Sequence, residues 1–152
     1  MVQNSASSSD DPDETPRTRV RNGGGTDNDK KTLTILVVDD DETNLTLARA
    51  LLEADGFAVV TAVDAMSTFD VLKDVDPALI LMDIQLPGMD GWELTRRLKR
   101  NIATSHIPVI AVTAYGTHGD AERAREVGFV EFVAKPVSTR ELPSIIRKHL
   151  GL

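Results

Sequence analysis

Four apolar runs in this 152-residue chain each end in a residue able to do chemistry. LTILVV (33–38) leads into Asp39-Asp40-Asp41, LILM (79–82) into Asp83, VIAV (109–112) into Thr113, and FVA (132–134) into Lys135-Pro136. Burying a carboxylate unpaired is costly, so an Asp placed directly after four large apolar residues needs something to receive it. Three carboxylates brought together would repel, and some would hold protons unless a cation intervened. Mg²⁺, a hard cation that takes oxygen ligands and keeps waters, suits Asp39, Asp40 and Asp83. Lys135 adds a fixed positive charge and Thr113 a hydroxyl donor. Metal, ammonium and hydroxyl are the parts that bind a phosphoryl group. A carboxylate can be its nucleophile, becoming an aspartyl phosphate. Asp83, single and central, is the best nucleophile.

Each residue also has a plainer use. The run from Asp39 to Glu42 could start a helix, where acids favour the dipole. Asp83 could cap a turn, Thr113 could be structural, and Lys135 could sit in solvent. The common position at the ends of apolar runs is what favours a shared site. His106, His118 and His149 have no ligand spacing; His149 reads as a helix-face residue and the other two as loop residues.

The elements that must position these residues follow from the pattern. Five apolar runs, LTILVV (33–38), FAVVTA (57–62), ALILM (78–82), PVIAV (108–112) and FVEFVA (129–134), read as strands, several covered on both faces. Helix-length segments lie between them. Leu45, Ala48 and Leu52 line the first; Ala65, Phe69 and Leu72 the second; Trp92 or Leu94 with Leu98 the third. The fourth, GDAERAREVG (119–128), is polar, with Ala121, Ala124 and Val127 facing inward. Leu142, Ile145, Ile146 and His149 mark the last. Gly56 and Gly128 stand where left-handed helix caps are wanted. Five βα units predict an α/β fold, a doubly wound (βα)5 parallel sheet with helices on both faces. In such sheets ligands bind outside the carboxyl ends of the strands, where strand order reverses.

Composition bounds the rest. Cysteine is absent, which removes disulfides, thiolate metal sites and a cysteine nucleophile. A net charge of −7 argues against nucleic acid as a partner. No apolar run is long enough to span a membrane, and the N-terminus lacks the apolar core of a secretory signal, so the expected compartment is the cytoplasm, with no membrane partner. Residues 1–31 hold 6 acids and 5 bases, with no aromatic residue. They read as a disordered tail that cannot offset its ordering entropy, leaving 32–152 as the folded domain. The alternating bases of RTRVR (17–21) read as part of a solubilising linker. Gly23-Gly24-Gly25 precedes no helix and is no phosphate loop.

The motifs ILVVDDDETN, LILMDIQLPGMDG, VIAVTAY and FVAKP occur in the order found in the receiver domain of bacterial response regulators. The chain resembles that CheY-like family over about residues 33–150. Its third strand and loop are similar to those of stand-alone receivers that act in cell-cycle and polarity circuits. The resemblance implies the flavodoxin-like strand order 2-1-3-4-5. It implies that Asp83 is the phosphoacceptor, that Thr113 and Lys135 contact the phosphoryl group, and that Asp39 and Asp40 join Asp83 around Mg²⁺. The Gln85 carbonyl would complete the metal shell, Phe132 would take an aromatic switch position with Thr113, and Lys135–Pro136 would be cis. The implied donor is a sensor histidine kinase or a histidine phosphotransfer protein. With the chain closing after its last helix, output is expected by docking to a downstream protein or onward phosphotransfer. No enzymatic role is expected beyond its own phosphorylation and dephosphorylation.

A competing reading starts from Asp39-Asp40-Asp41-Glu42-Thr43, which fits the D-x-D-x-T of haloacid-dehalogenase phosphatases and would make Asp39 the nucleophile. That family needs a late paired-acid motif, where GDAER (119–123) supplies only Asp120, and it leaves Asp83 unexplained. A third reading is a phosphorylation-independent adaptor on a receiver fold.

Overall fold

The computed structural model describes residues 32–114 and 118–152. The tail expected over 1–31 lies outside them, as does Tyr115. Ten elements alternate: β1 (Thr34–Val38), α1 (Glu42–Ala54), β2 (Ala58–Ala62), α2 (Ala65–Asp74), β3 (Leu79–Asp83), α3 (Gly91–Arg100), β4 (Val109–Thr113), α4 (His118–Val127), β5 (Glu131–Ala134) and α5 (Glu141–Leu150). The strands form one parallel sheet in the order β2-β1-β3-β4-β5. This is the 2-1-3-4-5 order that the family resemblance implies. Strand order reverses between β1 and β3, so a crevice opens at their carboxyl ends.

Side-chain alternation divides the core into two layers. Ile35 and Val37 of β1, Leu79 and Leu81 of β3, and Ile110 and Val112 of β4 face α1 and α5, meeting Leu45, Leu52, Leu142 and Ile146. Leu36, Val38, Ile80, Met82, Val109 and Ala111 face the opposite way, toward Leu94 and Leu98 of α3 and Ala124 of α4. Every residue of β3 and β4 is buried, which is why those runs are continuous rather than alternating. Each fully buried Leu or Ile contributes about 1.5–3 kcal/mol relative to exposure.

Side-chain caps fix the starts of α1, α2 and α3. Asp41 accepts from the Thr43 N–H at 2.8 Å, and Asp64 forms a reciprocal capping box with Ser67. Asp90 caps α3 through the Glu93 N–H at 3.0 Å. Gly56 and Gly128 take the positive φ that their positions suggested, +97° and +122°.

Three local readings are refined. In α2, Ala65 and Thr68 are the fully seated residues, while Phe69 and Leu72 are half-buried. Thr68 can be buried because its hydroxyl donates to the Asp64 carbonyl at 2.8 Å. The fifth strand begins at Glu131 rather than at Phe129. Phe129 instead turns inward to meet Trp92 edge-on, ring centroids 5.6 Å apart, with the Arg123 guanidinium 4.2 Å over the Trp92 ring. His118 opens α4 rather than lying in a loop.

Candidate functional site

Alternation along β1 and β3 continues past the last apolar residue, carrying Asp39 and Asp83 onto the α1/α5 side of the sheet edge. Both are buried, 6% and 4% exposed, whereas Asp40, one step along, is exposed. Lys135 comes to the same place from β5. Its backbone N–H donates to the Thr113 carbonyl at 2.7 Å, which anchors the end of β5 to the end of β4. The ammonium then reaches Asp83 Oδ2 at 3.2 Å and Asp39 Oδ2 at 3.3 Å. The Lys135–Pro136 bond that follows is cis.

The plain and the chemical uses of these acids coexist. Asp83 caps its own turn, since its Oδ1 accepts from the Gln85 N–H at 3.0 Å, which leaves Oδ2 for Lys135. Asp39 Oδ1 accepts from the Asp41 N–H at 2.9 Å, while its Oδ2 takes Asn44 Nδ2 at 3.1 Å as well as Lys135. Asp41, the third acid of the run, belongs to the α1 cap. Sequence reasoning passed over Asn44; its position two residues into α1, beside a buried acid, was the available signal.

Asp39, Asp40 and Asp83 offer carboxylate oxygens that lie within 4.8 Å of one another. Among the described residues this is the one such acidic group. Burial pushes the Asp83 carboxyl above its ordinary range; the neighbouring Asp39 charge adds to the rise, and the Gln85 N–H and Lys135 oppose it without cancelling it. For Lys135 burial works downward, but the charges and hydrogen bonds of Asp39 and Asp83 more than reverse it, so the ammonium is held above its usual range. The cluster carries one cation for three acids, and oxygen is its only anionic donor. That donor set fits a hard divalent cation.

Thr113 is buried at the end of β4, and by alternation it shares the α3/α4 face with Val109 and Ala111. Phe132 pairs in register with Ala111, is half-buried, and packs on the same face. Gln85 is exposed beside the Asp83 turn. Asp39, Asp83, Lys135 and Thr113 therefore gather at one edge, and Phe132 stands one strand step below, on the face opposite to Asp83.

A doubly wound sheet with three acids, a lysine and a threonine at its carboxyl edge is the architecture of phosphoryl-handling signalling domains. The profile of the response regulator receiver domain matches residues 35–147. The polar-differentiation response regulator DivK of Brucella ovis is 40% identical over 120 residues, spanning 79% of this chain and 98% of that protein. DivK of Brucella anthropi is 40% identical over 117 residues, 77% of this chain and 95% of that protein. Among solved structures, the CheY-like receiver protein of Methanospirillum hungatei superposes with a TM-score of 0.74 at 29% identity, covering 80% of this chain and 95% of that one. The receiver domain of a Pseudomonas aeruginosa sensor histidine kinase, solved with a magnesium ion coordinated in its active-site cleft, gives 0.72 at 30% identity, covering 80% and 100%.

The chain belongs to the response regulator receiver family. It is a receiver domain of a two-component system, DivK-like over its folded part. The phosphatase reading built on Asp39 is not favoured. Among the described residues, no helix is long and apolar enough to cross a membrane.

Proposed function

We propose that Asp83 accepts a phosphoryl group from a phosphohistidine on a sensor kinase or phosphotransfer protein, and that the chain signals by docking to a further protein or passing the group on. The observation that carries this is the buried Asp83 carboxylate, held in one orientation by the Gln85 N–H and met at 3.2 Å by the Lys135 ammonium. Asp39, Asp40 and Asp83, with the Gln85 carbonyl, would hold Mg²⁺, which when bound supplies positive charge to the phosphoryl oxygens. Asp83 attacks phosphorus in line, and the donor nitrogen leaves with the bonding pair. Lys135, released from its two carboxylates, turns its charge to a phosphoryl oxygen. Asn44 and the Asp41 N–H keep Asp39 in place throughout. Thr113 then donates its hydroxyl to the new phosphate.

Regulation follows from the division of the site across the sheet. The nucleophile and its charges lie on the α1/α5 side, while Thr113 and Phe132 share the other. A shift of Thr113 toward the phosphate frees space along β4 and β5 into which Phe132 can rotate, reshaping the surface around α4, β5 and α5. A preference of ~100-fold for one partner needs only about 2.7 kcal/mol of differential contact between two such states.

The test is incubation of the full chain with acetyl phosphate and Mg²⁺, followed by intact mass. One hydroxylamine-labile phosphoryl group is expected, lost in Asp83→Asn and only slowed in Asp39→Asn. Label retained by Asp83→Asn and lost in Asp39→Asn would overturn the assignment.

A further inference from the structure

Asp83 shares its end of the sheet with a cavity beside Leu47. At the opposite, amino edge lies a second cleft of about 220 Å³, between the end of α2 and the loop from α3 to β4. Leu72, Val75, Ala103 and Ile107 supply its apolar lining, and Asp74 and Asp76, both exposed, supply its acids. Ile102, next in the chain to Ala103, is 92% exposed, more than any other large apolar residue described. A lone exposed isoleucine is ordinary on a protein surface. This one stands beside an apolar cleft, on a turn that is already ordered. The Ala103 N–H donates to Asn101 Oδ1 at 2.9 Å, and the Ser105 N–H donates to the Asn101 carbonyl at 2.7 Å. The half-buried Lys99 ammonium closes the loop, donating to the Ile107 carbonyl at 2.6 Å. A side chain displayed on such a turn loses little freedom when it docks.

Charge is divided across the same surface. On the α3 side, Arg96, Arg97 and Arg100 gather around one acid, Glu93. The helix dipole accounts for bases in a last turn, yet Arg97 and Arg100 remain exposed. On the α2 side, Asp70, Asp74 and Asp76 accompany Lys73, which pairs with Asp70 at 3.3 Å, and His106, 3.4 Å from Asp76. The acids thus belong to the α2 side of the cleft, and Ile102 and the arginines to the α3 side.

We propose that this surface docks a second copy of the chain about a two-fold axis, with Ile102 of each copy seated in the cleft of the other. A two-fold contact sets one patch against itself in reverse. The arginines beside one Ile102 then meet the acids beside the other copy's cleft. The chain therefore carries knob, socket and both charges of a self-complementary contact. A nucleic acid or an anionic membrane would answer the arginines and be repelled by Asp74 and Asp76. The contact is small, so the dimer is weak and reversible. Asp83 lies at the other edge, so the pairing leaves both carboxyl edges open and does not depend on what Asp83 does.

The test is sedimentation velocity of the unphosphorylated full chain from micromolar to millimolar concentration. A rapidly exchanging monomer–dimer equilibrium is expected, weakened by added salt. Ile102→Asp should raise the dissociation constant about tenfold or more. A second arm exchanges the charges at exposed positions, where folding is not at stake. Asp74→Arg with Asp76→Arg in one variant, and Arg97→Asp with Arg100→Asp in another, each set like charges against each other at both ends of the contact. Each variant alone should be monomeric. An equimolar mixture should associate, because both pairings are again between opposite charges, and adding Ile102→Asp to both variants should abolish that association. A wild type that stays monomeric at millimolar concentration overturns the proposal. So does a dimer indifferent to Ile102→Asp, which would place the contact on another face, and so does a mixture of the charge variants that fails to associate.

Discussion

Gly91 lies hard against the backbone of Asp83: a Cβ on this residue would stand 2.6 Å from the Asp83 carbonyl oxygen and 2.7 Å from Ile84 Cα. Its N–H donates to the Ile84 carbonyl at 2.8 Å, so the first turn of α3 is fastened to the turn that follows Asp83. Both close neighbours are backbone atoms, which cannot swing aside. Gly91→Ala must therefore separate α3 from the end of β3, at about 1–3 kcal/mol. Denaturant unfolding should register that loss, and acetyl phosphate labelling at Asp83 should slow at least tenfold. A variant equal to wild type in both would show that the contact is slack.

A second expectation concerns charge. Asp83 is buried and its carboxyl is raised above the ordinary range, first by burial and then by Asp39. A raised carboxylate pKa means that ionisation works against the fold. The penalty is complete above the folded-state pKa and absent below the unfolded-state value. Without Mg²⁺ at neutral pH, Asp83→Asn should melt a few degrees higher than wild type, and the gain should vanish as the pH is taken below the carboxylate range. Millimolar Mg²⁺ should raise the melting temperature of wild type more than that of Asp83→Asn. Equal responses to Mg²⁺ in the two proteins would remove Asp83 from the metal site.

A third expectation concerns the far end of α5. Glu131 Oε1 lies 2.6 Å from His149 Nε2 and 3.0 Å from Lys148 Nζ. Partial burial pushes the Glu131 carboxyl up, but the hydrogen bonds and charges of His149 and Lys148 together hold it below its ordinary value. A depressed carboxylate stabilises above its unfolded-state pKa and loses that contribution as the pH falls through the folded one. Glu131→Gln should cost less than about 1 kcal/mol at neutral pH, because Lys148 is largely exposed. Urea midpoints should converge with wild type in acid. A deficit that persists there would be one of packing rather than charge.

The sheet and the gathering of acids were legible because their signals are local and repeated. Continuous apolar runs declare buried strands, and the position of each polar residue after such a run fixes the edge it reaches. Contacts made across the chain leave weaker traces. Asn44 reads as an ordinary helix residue until Asp39 is seen to need a second donor. Nothing local marks Gly91, because what excludes a side chain there is the backbone of Asp83 and Ile84. Phe129 reads as part of its strand because apolar identity alone does not say whether a residue extends a ladder or turns toward Trp92. Thr68 carries a hydroxyl that argues for exposure, and only its bond to the Asp64 carbonyl lets it sit in the core.

Division of the site between two faces of one sheet has a consequence for traffic. Asp39, Asp83 and the cavity beside Leu47 open toward α1, while Thr113 and Phe132 belong to the side of α3 and α4. If the proposed function holds, a donor arriving from the first direction would leave α3 and α4 uncovered, so loading of Asp83 would not by itself mask that side from a target.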